Sequence, residues 1–280
     1  MTPASAPGHA PAPASPQALP LRAPVGRNLI AVASGKGGVG KTWLSITLTH
    51  ALAKAGRRAL LFDGDLGLAN VDIQLGLQPE QDLAAALGGG LALDEIAQHV
   101  AAPGFEVIAG RSGSASLAAL SAAGLTALAQ QLLALAPRYD RVVLDLGAGV
   151  DATVRYLAAR CATSLVVTTD EPTALTDAYA FMKLALKQDP RADLRVVINM
   201  AASRAEGEQT YATLRKACTS FLKVDPPLAG IIRRDPKVKD AIRSQEPLLT
   251  RHPNCDAARD VEALARDLAA GPAPRPDGGG

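Results

Sequence analysis

The chain has 280 residues, 48% of them apolar, and a net charge of +2. That is ample material for one large core, and a balance so near neutral argues against DNA as a partner bound through bulk charge. No apolar run reaches the ~18 residues needed to cross a bilayer, and Cys161, Cys218 and Cys255 lie too far apart for a disulfide framework or a metal knuckle, as expected of a cytoplasmic protein.

Residues 1–27 contain seven prolines and seven alanines and read as an extended tail. A single domain is expected over residues 28–270, followed by a second proline- and glycine-rich tail over 271–280. Asn28 to Ser34 reads as a buried strand and Trp43 to Ala55 as a helix. Further strands are expected at 59–63, 105–108, 141–145, 164–169, 194–199 and 228–232, and helices at 124–136, 173–187 and 206–222. Gly88 to Gly90 reads as a surface loop. Continuous apolar strands alternating with helices predict an α/β fold of three layers: a mostly parallel, twisted sheet with helices on both faces. Ligands of such sheets bind at the carboxyl ends of the strands, where Asp63 and Asp145 fall.

Between the first strand and helix stands Gly35-Lys36-Gly37-Gly38-Val39-Gly40-Lys41-Thr42, which fits the spacing of a phosphate loop. Glycines let backbone N–H groups turn inward around a phosphate, and the helix N-terminus adds partial positive charge. In this arrangement Lys41 bridges the β- and γ-phosphates and the Thr42 hydroxyl ligates magnesium, with Trp43 following in the first turn. Lys36 is not required by the general pattern; it is either a solvated lysine or one that projects to a phosphate held by a second subunit. Asp65 holds magnesium-bound water, or orients the attacking water, or is a solvated turn residue. Asp145, followed by Gly147 and Gly149, resembles the second metal-side motif of phosphate-loop enzymes, whose acid holds a magnesium-bound water, or else is a strand-end acid in a solvated turn. Asn199 offers a donor and an acceptor that match the edge of adenine, or else caps a turn.

The segment Lys36 to Thr42 resembles the deviant Walker A motif of the MinD/ParA ATPases. Asp63-Gly64-Asp65-Leu66-Gly67-Leu68-Ala69-Asn70-Val71-Asp72, Leu144 to Gly149 and Thr169 to Tyr179 resemble the MinD branch, and within it the FlhG (FleN/YlxH) regulators of flagellar number. The resemblance covers residue 28 to about 250. It implies a P-loop fold with ATP and Mg2+ as cofactors. It also implies catalytic roles for Lys36, Lys41 and Asp65, nucleotide contacts from Gly35 to Trp43, Asp145 and Asn199, and metal contacts from Thr42, Asp65 and Asp145.

By the same resemblance Lys36 enters the site of a second copy, and a slow ATPase acts as a dimer switch for flagellar number or placement. The alternatives are a MinD- or ParA-like positioning ATPase for the division site or DNA, and an ATP-binding regulator of a transcription activator. An FlhF-like GTPase or another flagellar regulator is the partner class implied.

Two regions depart from the pattern. Pro16 to Arg22 keeps Gln17, Ala18, Leu21 and Arg22 of a GTPase-stimulating motif, but Pro20 opposes a helix there. Cys255 to Ala270 places Val261, Leu264 and Leu268 on one helical face and Asp256, Arg259, Asp260, Glu262, Arg266 and Asp267 on the polar face. That polar face is acidic on balance, which favours a helix packed on the domain over a peripheral anchor at the inner face of the membrane.

Overall fold

The computed structural model describes residues 25–79, 81, 83–87, 91–100, 104–110 and 120–270. Residues 1–24 of the first expected tail, the whole of the second, the GTPase-motif match and the Gly88 to Gly90 run lie outside the described residues, whereas Gly26 and Arg27 of the expected tail belong to the first strand.

Among the described residues eight strands form one sheet: β1 (Gly26–Ser34), β2 (Ala59–Gly64), β3 (Gln98–Val100), β4 (Phe105–Ile108), β5 (Arg141–Ala148), β6 (Cys161–Thr168), β7 (Leu194–Ala201) and β8 (Leu228–Arg233). Their order is β3-β4-β2-β5-β1-β6-β7-β8. Every pairing is parallel except that of β3 with β4. The helices are α1 (Lys41–Lys54), α2 (Val71–Leu75), α3 (Leu83–Leu87), α4 (Ala122–Leu135), α5 (Ala152–Ala158), α6 (Pro172–Gln188), α7 (Arg204–Ala217), α8 (Pro236–Arg243), α9 (Leu248–Arg251) and α10 (Asp256–Ala269). The expected α/β architecture is present.

Alternation along each strand sorts the core into two halves. Leu29, Ala31, Leu60, Phe62, Val142 and Leu144 face one cluster with α4, α5 and α6. Ile30, Val32, Leu61 and Val143 face the other, with α1 and α10. Both faces of the sheet are therefore covered, which is why these strands read as unbroken apolar runs.

Helix α1 is the most enclosed: every residue from Trp43 to Leu52 is buried. Its polar residues are tolerated because Thr47 donates to the Trp43 carbonyl at 2.8 Å and Thr49 to the Ser45 carbonyl at 2.7 Å.

Several boundaries differ from the sequence reading. β1 begins at Gly26, β5 runs three residues past Asp145 to Ala148, and the expected helix over 206–222 becomes α7 followed by a π-helical turn, Cys218–Leu222. In α10, Asp260 is not on a solvated face. It is buried and accepts from the backbone N–H, Nε and Nη2 of Arg233, at 3.0, 2.9 and 3.0 Å. Helical period alone cannot see that an arginine from the adjoining strand reaches over. The apolar side of α10 lies against α1 and β8. Among the described residues no helix is long and apolar enough to cross a membrane.

Candidate functional site

The carboxyl ends of β1, β2, β5 and β7 bring the predicted residues to one edge of the sheet. Ser34 ends β1, and its hydroxyl donates to the Lys36 carbonyl at 2.6 Å. The loop then turns through Gly38 and Gly40, whose φ angles of 81° and 85° are left-handed and suit glycine. Gly40 is the N-cap of α1 and carries no side-chain cap bond, so the free N–H groups of the first turn remain for a ligand.

Gly35 has a different reason to be glycine. A Cβ there would lie 2.0 Å from the carbonyl oxygen of Asp177 in α6. The loop enters against another backbone, and no side chain fits.

Lys41 is buried, and desolvation lowers its pKa, offset in part by Asp145 and Asp65. Asp145 is paired across the sheet with Asp63 on β2 and with Val32 on β1. Its carboxylate accepts from Ser45 Oγ at 2.9 Å, and also from Thr42. Burial raises its pKa to about 6, against the lowering pull of Thr42, Ser45 and Lys41.

Asp63 is pushed further, to about 8, first by burial and then by Asp145. It accepts from the N–H groups of Asp65 at 3.2 Å and Val71 at 3.3 Å, so it holds both ends of the segment that carries Asp65. Asp65 itself accepts from the Leu68 N–H at 3.0 Å. Gly147 passes close by: a Cβ there would be 3.3 Å from Asp65 Oδ1. The Gly149 N–H donates to the Ser34 carbonyl at 2.9 Å, tying the end of β5 to the start of the loop.

Lys36 points elsewhere. Its Nζ donates to Glu171 Oε2 at 2.6 Å and to Thr173 Oγ1 at 2.8 Å, both at the start of α6. Asn199, at the end of β7, is buried beside the loop and donates to the Val39 carbonyl at 2.7 Å. Trp43 is buried with its Nε1 unbonded.

The sequence reading missed Ser45 as a partner of Asp145. The only signal was its place three residues after Thr42, about one helical turn on.

Among the described residues no group of three or more His, Cys, Asp or Glu side chains is placed to hold a metal alone. That suits magnesium bound to a triphosphate, which takes one or two protein ligands and fills its octahedron with phosphate oxygens and water. The buried cation, left-handed glycines and open helix N-terminus fit such a group.

Comparison with known proteins agrees with this geometry. Residues 30–248 match the family described as the CobQ/CobB/MinD/ParA nucleotide binding domain. The chain is 37% identical to the antiactivator FleN of Pseudomonas aeruginosa, over 88% of each chain. It is 34% identical to the flagellum site-determining protein YlxH of Helicobacter pylori, over 84% of this chain and 80% of that one. Among solved structures, the cell division ATPase MinD of Pyrococcus furiosus superposes with a TM-score of 0.73 at 23% identity, covering 87% of this chain and 99% of that one. MinD of Pyrococcus horikoshii, complexed with Mg-ADP, gives 0.72 at 22% identity, over 86% of this chain and 95% of that one. The chain therefore belongs to the CobQ/CobB/MinD/ParA nucleotide-binding family, as an ATPase of its MinD/ParA branch.

Proposed function

We propose that this protein is an ATP-dependent, dimer-forming switch that regulates flagellar number or placement. The flagellar part rests on the similarity to FleN and YlxH along most of the chain. The switch part rests on the edge where Lys41, Thr42, Asp65 and Asp145 meet. Lys41 and the loop N–H groups hold the triphosphate, while Thr42 and Asp145 hold its magnesium, with Asp65 contributing on the metal side. Asp65 also orients the attacking water. Bound magnesium neutralises charge that builds on the phosphate oxygens during hydrolysis. Asn199 reads the base. Lys36 leaves Glu171 and Thr173 to enter the site of a second copy.

Loss of the γ-phosphate removes what orders the segments after β2 and β5, and the dimer parts. An FlhF-like GTPase or another flagellar regulator is the partner that senses this state.

The single observation that carries the reading is Asp145, buried and bonded to Ser45 and Thr42 beside a buried Lys41. The test has two parts. Light scattering with MgATP should give a dimer for Asp65→Ala and a monomer for Lys36→Ala. Deletion of the gene should change the number or position of flagella. A Lys36→Ala protein that still dimerises with ATP would overturn the switch, and unaltered flagella would overturn the cellular role. Trp43 is the sole tryptophan of the chain and supplies a fluorescence signal for nucleotide binding.

A further inference from the structure

Asn199 touches the phosphate loop as well as lying where a base would be read. Its Nδ2 donates to the Val39 carbonyl at 2.7 Å, from 160 residues further along the chain. The contact is tight on both sides: a Cβ on Gly40 would lie 2.5 Å from Asn199 Nδ2 and 3.2 Å from Met200 Cε. Met200 itself holds a left-handed φ of 58°, a conformation that non-glycine residues rarely adopt. An unfavourable backbone persists only where its surroundings over-determine it. Here the pairing of β7 with β8 shifts register between Ile198 and Ala201, and Asn199 and the end of the Met200 side chain lie against Gly40.

The peptide that links Val39 to Gly40 is planar and trans, so its C=O and N–H point in opposite directions. Fixing the Val39 carbonyl on Asn199 therefore fixes the Gly40 N–H facing away from Asn199. The bond uses one amide hydrogen and leaves Oδ1 for the edge of a base.

We propose that Asn199 is a positioning residue for the phosphate loop, holding the Val39–Gly40 peptide so that its N–H faces a phosphate, whether or not a base is bound. This deepens the nucleotide-site reading and rests on residues 35–42 being a phosphate cradle. A residue that only recognised adenine would matter to ATP and be silent toward a ligand with no base. A loop brace matters to both.

The experiment titrates the whole protein with inorganic tripolyphosphate and, separately, with ATP, each with Mg2+, by calorimetry. The variants are Asn199→Ala and Asn199→Leu; leucine is near in shape to asparagine and cannot donate. Amide hydrogen exchange at residues 38–42 is followed in the same proteins without nucleotide. The expected result is about tenfold weaker tripolyphosphate binding in both variants, with ATP weakened at least as much and the loop amides exchanging faster.

Variants that lose ATP affinity but bind tripolyphosphate like the parent would overturn the brace and leave base reading alone. Unchanged exchange at the loop amides would overturn it too. Should the parent bind neither ligand, the phosphate-cradle reading itself fails, and the exchange comparison still decides whether Asn199 holds the loop. If Asn199→Ala does not fold, the better-filled Asn199→Leu decides alone.

Discussion

Replacing Gly35 with alanine tests how the loop is seated. The added Cβ would lie 2.0 Å from the Asp177 carbonyl oxygen, 2.2 Å from its carbonyl carbon and 2.8 Å from its Cβ. No flexible side chain can swing aside, because two of these atoms are backbone. Either the end of β1 or α6 must shift. Overpacking of a well-filled interior costs ~1–3 kcal/mol, and with backbone on both sides the upper end, ~3 kcal/mol, applies here.

In a domain of this size each kcal/mol moves Tm by ~2–4 °C, so Gly35→Ala should melt ~6–12 °C lower. Two companions sort the causes. Gly38→Ala meets nothing within 4 Å but sits at φ 81°, so it pays only the left-handed backbone cost of ~1–2 kcal/mol. Gly67→Ala, whose nearest atom is 3.9 Å away at an unremarkable φ, should cost nothing or stabilise by ~0.4–1 kcal/mol. Calorimetric melting of the three without nucleotide should give the order Gly35, Gly38, Gly67 from most to least damaged. A Gly35→Ala protein melting within about 2 °C of Gly67→Ala would refute the steric argument.

Other consequences are as direct. Burial, with Lys54 adding to it, lowers the pKa of His50 to about 3. The unfolded chain therefore takes up this proton first, so the contribution of His50 is whole above pH ~6.5 and drains away as pH falls toward the folded value. Urea midpoints between pH 7 and 4 should slope by up to ~1.4 kcal/mol per pH unit from this group, and His50→Leu should flatten that limb; an equally steep limb in the variant would assign it elsewhere. Ser45→Ala removes a hydroxyl bonded to Asp145 at 2.9 Å. Several-fold more magnesium should then be needed for the nucleotide-dependent Trp43 signal, and an unchanged requirement would make Ser45 mere filling. Asp260→Ala removes a buried carboxylate that accepts three bonds from Arg233 and leaves that guanidinium to Asp256, so it should lose ~1–3 kcal/mol in urea unfolding, with earlier tryptic cleavage within α10. Parent-like stability would mean that this helix is held by its apolar face alone.

Most strands were legible because they lie between two covered faces and so carry three or more apolar residues in a row. β3 was not: Gln98–Val100 is a three-residue antiparallel edge strand containing an exposed histidine. Helix α2 has five residues, too few for a period to register. Asp145 was expected to end its strand because acids are common at such edges, yet pairing with β1 and β2 carries β5 on to Ala148. The loop, Lys41 and Thr42 were readable because their spacing is local. The bonds of Asp145 to Ser45 and of Asn199 to Val39 span 100 and 160 residues, and only the fold brings their ends together. Likewise, nothing in the sequence shows that Lys36 rests on Glu171 and Thr173.

The enclosure of α1 has a mechanical meaning. A helix buried from Trp43 to Leu52, bonded to α10 through Lys54 and Glu262 at 2.6 Å, cannot pivot without opening both it and the sheet. The loop at its head is thus mounted on the most enclosed helix among the described residues and acts as an anvil. Strain from an arriving ligand passes to what is weakly held: the turn after β2, where Leu68 is 72% exposed, and the half-exposed residues that follow β5. One side of the cleft serves as a fixed datum, and the other does the yielding.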